Sequence, residues 1–170
     1  MLRFKDFTYR ISGKILLDNA NVTIPSGHKV GFVGRNGVGK TTVLKLITGH
    51  LSPSGGEIII PQNWKIGITT QDPPGEDRSL IDTVLAANKE LYELKQLADN
   101  DKQRKNLSEI HERLNILGAQ SAEAKASKIL AGLGFRDHVQ LRPCSEFSGG
   151  WRMRVALAAL LFLEPDLLLL

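Results

Sequence analysis

From Leu2 to Tyr9 apolar residues alternate loosely with charged ones, Ser12 and Gly13 break the run, and Ile15 to Ile24 resumes the alternation. A period of two sends successive side chains to opposite faces of a strand, so the pattern predicts a hairpin-like pair. Strict alternation puts Phe7 and Tyr9 on one open face with Arg3 and Lys5. Pro25, Ser26 and Gly27 predict a turn, and the glycine-bounded apolar run Lys29 to Val33 predicts a buried strand. A helix is expected from about Gly39 to Ile47, with Gly49 near its end. The loop Ser52 to Gly56 precedes Glu57 to Ile60, and Lys65 to Thr70 predicts a further strand ending at Gln71.

From about Ser79 to Leu133 helix formers dominate, with Ser79 and Asp82 in capping-box spacing and apolar residues at Leu80, Val84, Leu91 and Leu94. The highly charged middle of this region, Asp99 to Arg113, reads as a solvated helical hairpin. Ser121 to Leu130 resumes a helix that Gly132 and Gly134 end. A last helix is expected from Ser148 to Leu163, and Asp166 to Leu170 begins what reads as a buried strand.

Composition narrows the classes. In 170 residues, 42% hydrophobic and 24% charged is ordinary globular usage, and a chain of this length buries enough surface for a real core. The net charge of +4 is too small to argue alone for a polyanionic partner. Cys144 is the one cysteine, which excludes an internal disulfide framework and a paired-cysteine metal site. No signal-peptide pattern opens the chain, and the longest apolar stretch, Val155 to Leu163, falls short of the about 20 residues a spanning helix needs. A cytoplasmic protein without direct membrane insertion is expected. His28, His50, His111 and His138 have no ligand-like spacing.

The strongest chemical signal is Gly34-Arg-Asn-Gly-Val-Gly-Lys-Thr-Thr42, which matches GxxxxGK[ST] through Gly34, Gly39, Lys40 and Thr41. Glycines allow positive φ and leave no Cβ in the way, so the backbone N–H groups around Asn36 and Gly37 can turn inward on a phosphate. The helix after Gly39 adds unsatisfied N–H groups and the positive end of its dipole. The Lys40 ammonium reaches the β and γ phosphates, and Thr41, followed by Thr42, offers a hard oxygen to Mg²⁺. An apolar run before the loop and a periodic helix after it are the context this motif requires.

A GTPase reading gains something from Asp72-Pro-Pro-Gly75, which fits DxxG, and from Asn88-Lys89, but Leu91 stands where a guanine-reading carboxylate belongs. A second motif points elsewhere. Phe147-Ser-Gly-Gly-Trp-Arg-Met-Arg154, with its serine 114 residues after Gly34, resembles the signature of ATP-binding cassette (ABC) proteins. Physically, Ser148 can cap the next helix while Gly149 and Gly150 let its N-terminus approach an anion. The resemblance implies an α/β fold, a P-loop NTPase (RecA-like) ABC core with N-terminal antiparallel β-strands and an inserted α-helical subdomain. It implies that ATP with Mg²⁺ is sandwiched between two cassettes, the signature of one facing the γ-phosphate held by the other. Gln71 then matches the Q-loop glutamine that contacts Mg²⁺ or its water and senses the γ-phosphate. Tyr9, 25 residues before Gly34, matches the aromatic that stacks on adenine. Lys40, Gln71 and Ser148 carry the catalytic roles in this reading.

Trp151 with the following Arg-Met-Arg, the opening VGFVGRNGVGKTT and the run LAALLFLEPDLLLL resemble the ABC-F branch, in the first of two tandem cassettes. That branch implies a ribosome-associated translation factor. The partners would be a second cassette on the same chain and the ribosome with tRNA, with no DNA expected; the alternative is the energising subunit of a membrane transporter. The segment Asn88 to Leu117 lies where the branch can insert a helical arm, and its basic cluster Lys102, Arg104 and Lys105 would meet phosphate. The expected division is a β subdomain and P-loop core over 1–71, a helical subdomain over 72–147, and a signature helix with the start of the Walker B strand over 148–170. On the resemblance, the Mg²⁺-binding aspartate and the water-activating glutamate would be residues 171 and 172. The C-terminally incomplete fold is therefore expected to bind ATP without turning it over, although the family reaction is ATP hydrolysis.

Overall fold

The computed structural model describes residues 1–11, 13–69, 74, 77–99 and 107–170. Two compact units divide the chain, residues 1–66 with Leu169, and residues 67–168 with Leu170.

In the first unit, β1 (Leu2–Ile11), β2 (Lys14–Ile24) and β3 (Gly55–Ile59) form an antiparallel sheet in the order β2-β1-β3, and α1 (Lys40–Ile47) follows the glycine loop. The hairpin forms as its alternation predicts, but the ladder is interrupted. Phe4 pairs with Val22 and Phe7 with Ala20, so β1 holds one extra residue there. The bulge sits at Asp6, whose φ is 47°, and Asn21 fixes it by accepting from the Asp6 N–H and donating to its carboxylate. One extra residue reverses every following side chain. Phe7 and Tyr9 therefore join Leu2 and Phe4 on the buried face, while Arg3 and Lys5 stay exposed. The open face expected for Phe7 and Tyr9 is thus corrected: Tyr9 keeps 9% of its surface and Phe7 none. Phe4 and Phe7 meet edge to face at 5.2 Å.

β3 follows the same bulge closely. A Cβ at Gly56, whose φ is 70°, would lie 2.2 Å from the Asp6 carbonyl oxygen and 2.4 Å from that of Lys5. The strand expected over Lys29 to Val33 does not form, because among the described residues no strand pairs with it. Without a ladder its apolar side chains stay in water, with Val33 93% exposed.

The second unit is mainly helical, with α2 (Leu80–Leu85), α3 (Lys89–Asp99), α4 (Leu107–Ile116), α5 (Ala119–Gly132), α6 (Asp137–Gln140) and α7 (Gly149–Phe162). β4 (Ile66–Ile68) and β5 (Leu167–Leu169) form a two-stranded sheet. Leu80, Val84, Leu91, Leu130, Phe135, Val155 and Ala158 make the core. The expected cap is present: the Ser79 hydroxyl accepts from the Asp82 N–H and donates to its carboxylate at 2.5 Å. α5 ends in a Schellman motif, Gly134 at φ 98° closing bonds from Gly134 to Ala131 and from Phe135 to Leu130. That turn drops Phe135 into the core, where Gln140 donates to its carbonyl at 3.0 Å. α3 and α4 are joined by Arg113 and Glu90 at 2.5 Å.

Two outcomes are expected. Gly56→Ala destabilises the first unit by at least about 1–3 kcal/mol in denaturant titration, since backbone atoms cannot yield to the new methyl. Gly13→Ala, also at positive φ but with open space around it, costs only about 1 kcal/mol, and equal losses would refute the close approach. The hydrogen bond from Arg113 holds the Glu90 carboxyl below its ordinary 4.5. A lowered folded value means the stabilisation exists above the unfolded value and disappears as pH falls through the folded one. The protection of α3 and α4 amides, measured against intrinsic exchange at each pH, should therefore fall below about pH 4.5 more in the parent than in Glu90→Gln. Identical acid dependence would show the pair absent in solution.

Candidate functional site

The segment from His28 to Val38 is exposed throughout, and Arg35 to Val38 forms a turn closed by the Val38 N–H on the Arg35 carbonyl at 3.2 Å. Gly37 stands third in that turn at φ 79°, a left-handed position that L side chains avoid. Gly39, at φ 100°, is the N-cap of α1. The first N–H groups of a helix have no intrahelical acceptor, and no acidic residue occupies the first turn of α1 to compete for them. The Lys40 ammonium folds back over the loop, donating to the carbonyls of Gly34 at 2.6 Å and Arg35 at 3.0 Å. A Cβ on Gly37 would meet nothing within 4 Å, so it is the left-handed φ and not crowding that calls for glycine there. Thr41 is exposed and Thr42 half-buried.

α1 is anchored from behind. Val43, Leu46 and Ile47 are buried, and Gly49 at φ 74° ends the helix with a bond from the His50 N–H to the Lys45 carbonyl. The loop therefore hangs on a fixed helix. One contact was not legible in the sequence pattern: a Cβ on Gly39 would lie 2.6–3.0 Å from the end of the Leu16 side chain. Periodicity carries no signal for it, since Leu16 owes its direction to a strand irregularity.

The signature segment lies in the second unit. Ser148 is the N-cap of α7, with φ −62° and ψ 159°, and the Arg152 N–H donates to its carbonyl at 2.9 Å. Its side chain makes no cap hydrogen bond, which corrects the expected capping role: the backbone alone closes the first turn. Gly149 and Gly150 have open space where side chains would stand, and no acidic residue lies in that turn. Such a helix end, with bare N–H groups and no competing carboxylate, can accept an anion.

Aromatic rings fix the approach to α7. Phe135 meets Phe147 edge-on at 5.8 Å and Trp151 at 5.1 Å, while Arg154 lies over the Trp151 ring at 4.5 Å. The segment before the signature is tied to the segment before α2. Cys144 N–H donates to Arg78 at 2.9 Å, Leu80 N–H to Arg142 at 3.2 Å, and the Ser145 hydroxyl to Asp77 at 2.8 Å. Gln71 and the cluster Lys102, Arg104 and Lys105 lie outside the described residues.

Comparisons with known proteins bear on the whole chain. Residues 17–170 match the ABC transporter family model. ABC transporter F family member 4 of Arabidopsis thaliana is 40% identical over 99% of this chain, and human ATP-binding cassette sub-family F member 3 is 37% identical over 99%. The chain spans about a quarter of the length of these relatives, 25% and 24%. The ATP-binding subunit of an ABC transporter superposes with a TM-score of 0.68 at 19% identity, covering 99% of this chain and 64% of that one. A nucleotide-free ATP-binding cassette from an ABC transporter gives 0.66 at 22%, covering 99% and 67%. These likenesses establish the α/β P-loop fold of an ABC ATPase with its antiparallel N-terminal strands. Among the described residues no helix is long and apolar enough to cross a membrane. A glycine loop that opens a helix, a glycine-bearing start to α7 and this match over nine-tenths of its residues mean that the chain belongs to the ABC transporter family, with F-branch cassettes among its relatives.

Proposed function

We propose that the chain binds ATP with Mg²⁺ through Gly34, Asn36, Gly37, Gly39, Lys40, Thr41 and Thr42. The observation that carries this reading is the pair of left-handed glycines, Gly37 and Gly39, that turn the chain into α1, with the Lys40 side chain folded back over the preceding residues Gly34 and Arg35. Lys40 would exchange the carbonyls of Gly34 and Arg35 for β and γ phosphate oxygens, gaining charge-assisted bonds each worth about 1.5–3 kcal/mol. The residues fit the nucleotide, since the loop is exposed, no acidic residue occupies the first turn of α1 and Thr41 is exposed. Bound Mg²⁺ would neutralise phosphate charge, with Thr41 and Gln71 as its protein oxygens. The part given to Gln71 rests on its sequence position alone. Tyr9 would serve the adenine only through the small share of its surface that stays exposed.

The reaction is ATP hydrolysis between two cassettes. Ser148, Gly149 and Gly150 would receive the γ-phosphate of ATP held by a second cassette, and the unbonded side-chain cap of α7 supports that assignment. With catalytic parts divided in this way, Lys40 and Gln71 would act on one nucleotide and Ser148 on the other. The cellular role we infer is that of a ribosome-associated ABC-F translation factor in the cytoplasm. It is supported by relatives described as F-family members at 37–40% identity.

Titration with ATP and Mg²⁺ checks the site. Lys40→Ala should weaken binding by at least about tenfold, the equivalent of one charge-assisted bond. Equal affinity of variant and parent would remove Lys40 from the site. For the cellular role, the full-length protein should sediment with ribosomes in a non-hydrolysable ATP analogue, and absence of co-sedimentation would overturn it.

A further inference from the structure

β2 carries an irregularity beside the phosphate loop that the nucleotide-binding reading does not use. Tyr9 pairs with Leu17 and Arg10 with Ile15, so Leu16 stands opposite no residue of β1 and is the extra residue of a bulge. A bulge re-aims the side chain it carries. Its neighbours behave differently: Leu17 takes a ladder position opposite Tyr9, and Ile15 is 53% exposed. Leu16 is half-buried, and both of its methyls and its Cγ lie 2.6–3.0 Å from where a Cβ of Gly39 would stand. The side chain thus covers the α-carbon of the residue whose φ of 100° turns the chain from the loop into α1.

We propose that Leu16 is a positioning residue for the phosphate loop: released from the sheet by its bulge, it packs on Gly39 and holds that turn so that Lys40 and the N-terminus of α1 face the phosphates. The inference rests on the nucleotide-binding reading and deepens it. Gly39 lacks a side chain of its own to anchor it, and a left-handed glycine has a wide choice of neighbouring conformations. A branched apolar side chain against its α-carbon removes some of that choice before ligand arrives. The affinity gained is of the pre-organising kind, with no contact to the nucleotide required.

Two measurements on the chain separate this role from others. In the absence of nucleotide, Leu16→Ala should speed exchange of the Val38 and Val43 amides, which bond the carbonyls of Arg35 and Gly39 on either side of the turn, and leave the ladder amides of β1 and β3 unchanged. In titrations, the same variant should lose affinity for ATP and for inorganic tripolyphosphate by one common factor of roughly tenfold. Leu16→Met, close in volume, should restore both. Unchanged exchange in the loop would overturn the proposal, as would acceleration spread through the sheet, which would mark a merely structural residue. Loss of ATP binding with tripolyphosphate unaffected would also overturn it, because Leu16 would then touch the nucleoside. If the parent bound neither ligand, the nucleotide-binding reading would fail, while the exchange experiment would still decide the part played by Leu16.

Discussion

A side chain at position 39 would face both a left-handed backbone and the methyls of Leu16, so the loop before α1 depends on glycine there. Everything around the loop follows from that turn. It places Lys40 at the first position of α1, from which its ammonium reaches back across Gly34 and Arg35. It exposes the unsatisfied N–H groups of the helix start, and the buried residues Val43, Leu46 and Ile47 keep that start in place. The sheet beside it is irregular where it must make room. Asp6 bulges out of β1, Gly56 lets β3 follow, and Leu16 bulges out of β2 toward the loop.

The helical unit solves a similar problem with a different turn. Gly134 ends α5 in a Schellman motif, and the residue after it, Phe135, becomes the ring on which Phe147 and Trp151 pack. Hydrogen bonds from Leu80 and Cys144 then hold the approach to the signature. The consequence is an α7 N-terminus that is packed on its aromatic side and bare on its glycine side. Packing matters because a helix end binds an anion better when its N–H groups need less rearrangement.

Elements with a long regular period were legible in the sequence. The hairpin, α1, the Ser79 cap and α7 all follow from local pattern, because each needs only neighbours a few residues away. The departures have causes further along the chain. The Asp6 bulge depends on a side-chain bridge to Asn21 fifteen residues on, which no alternation rule encodes, and it moved Tyr9 from the open face to the buried one. The bulge at Leu16 hid its contact with Gly39 in the same way. Lys29 to Val33 has the apolar content of a strand, but content without a partner ladder gives exposed coil. Ser148 stands where a cap should, yet its hydroxyl makes no cap bond. Motif spacing is the ground on which a chemistry is proposed for the loop and signature; the direction of individual side chains needed the fold.

On the proposed function, the loop from Gly34 to Thr42 recognises the outer phosphates of an adenine nucleotide. Calorimetric titration of the chain with AMP, ADP and ATP in the presence of Mg²⁺ tests it most directly. ADP and ATP should bind at least about tenfold more tightly than AMP, since only they carry the β phosphate that Lys40 and the α1 N-terminus would hold. Equal affinity for all three nucleotides would contradict it.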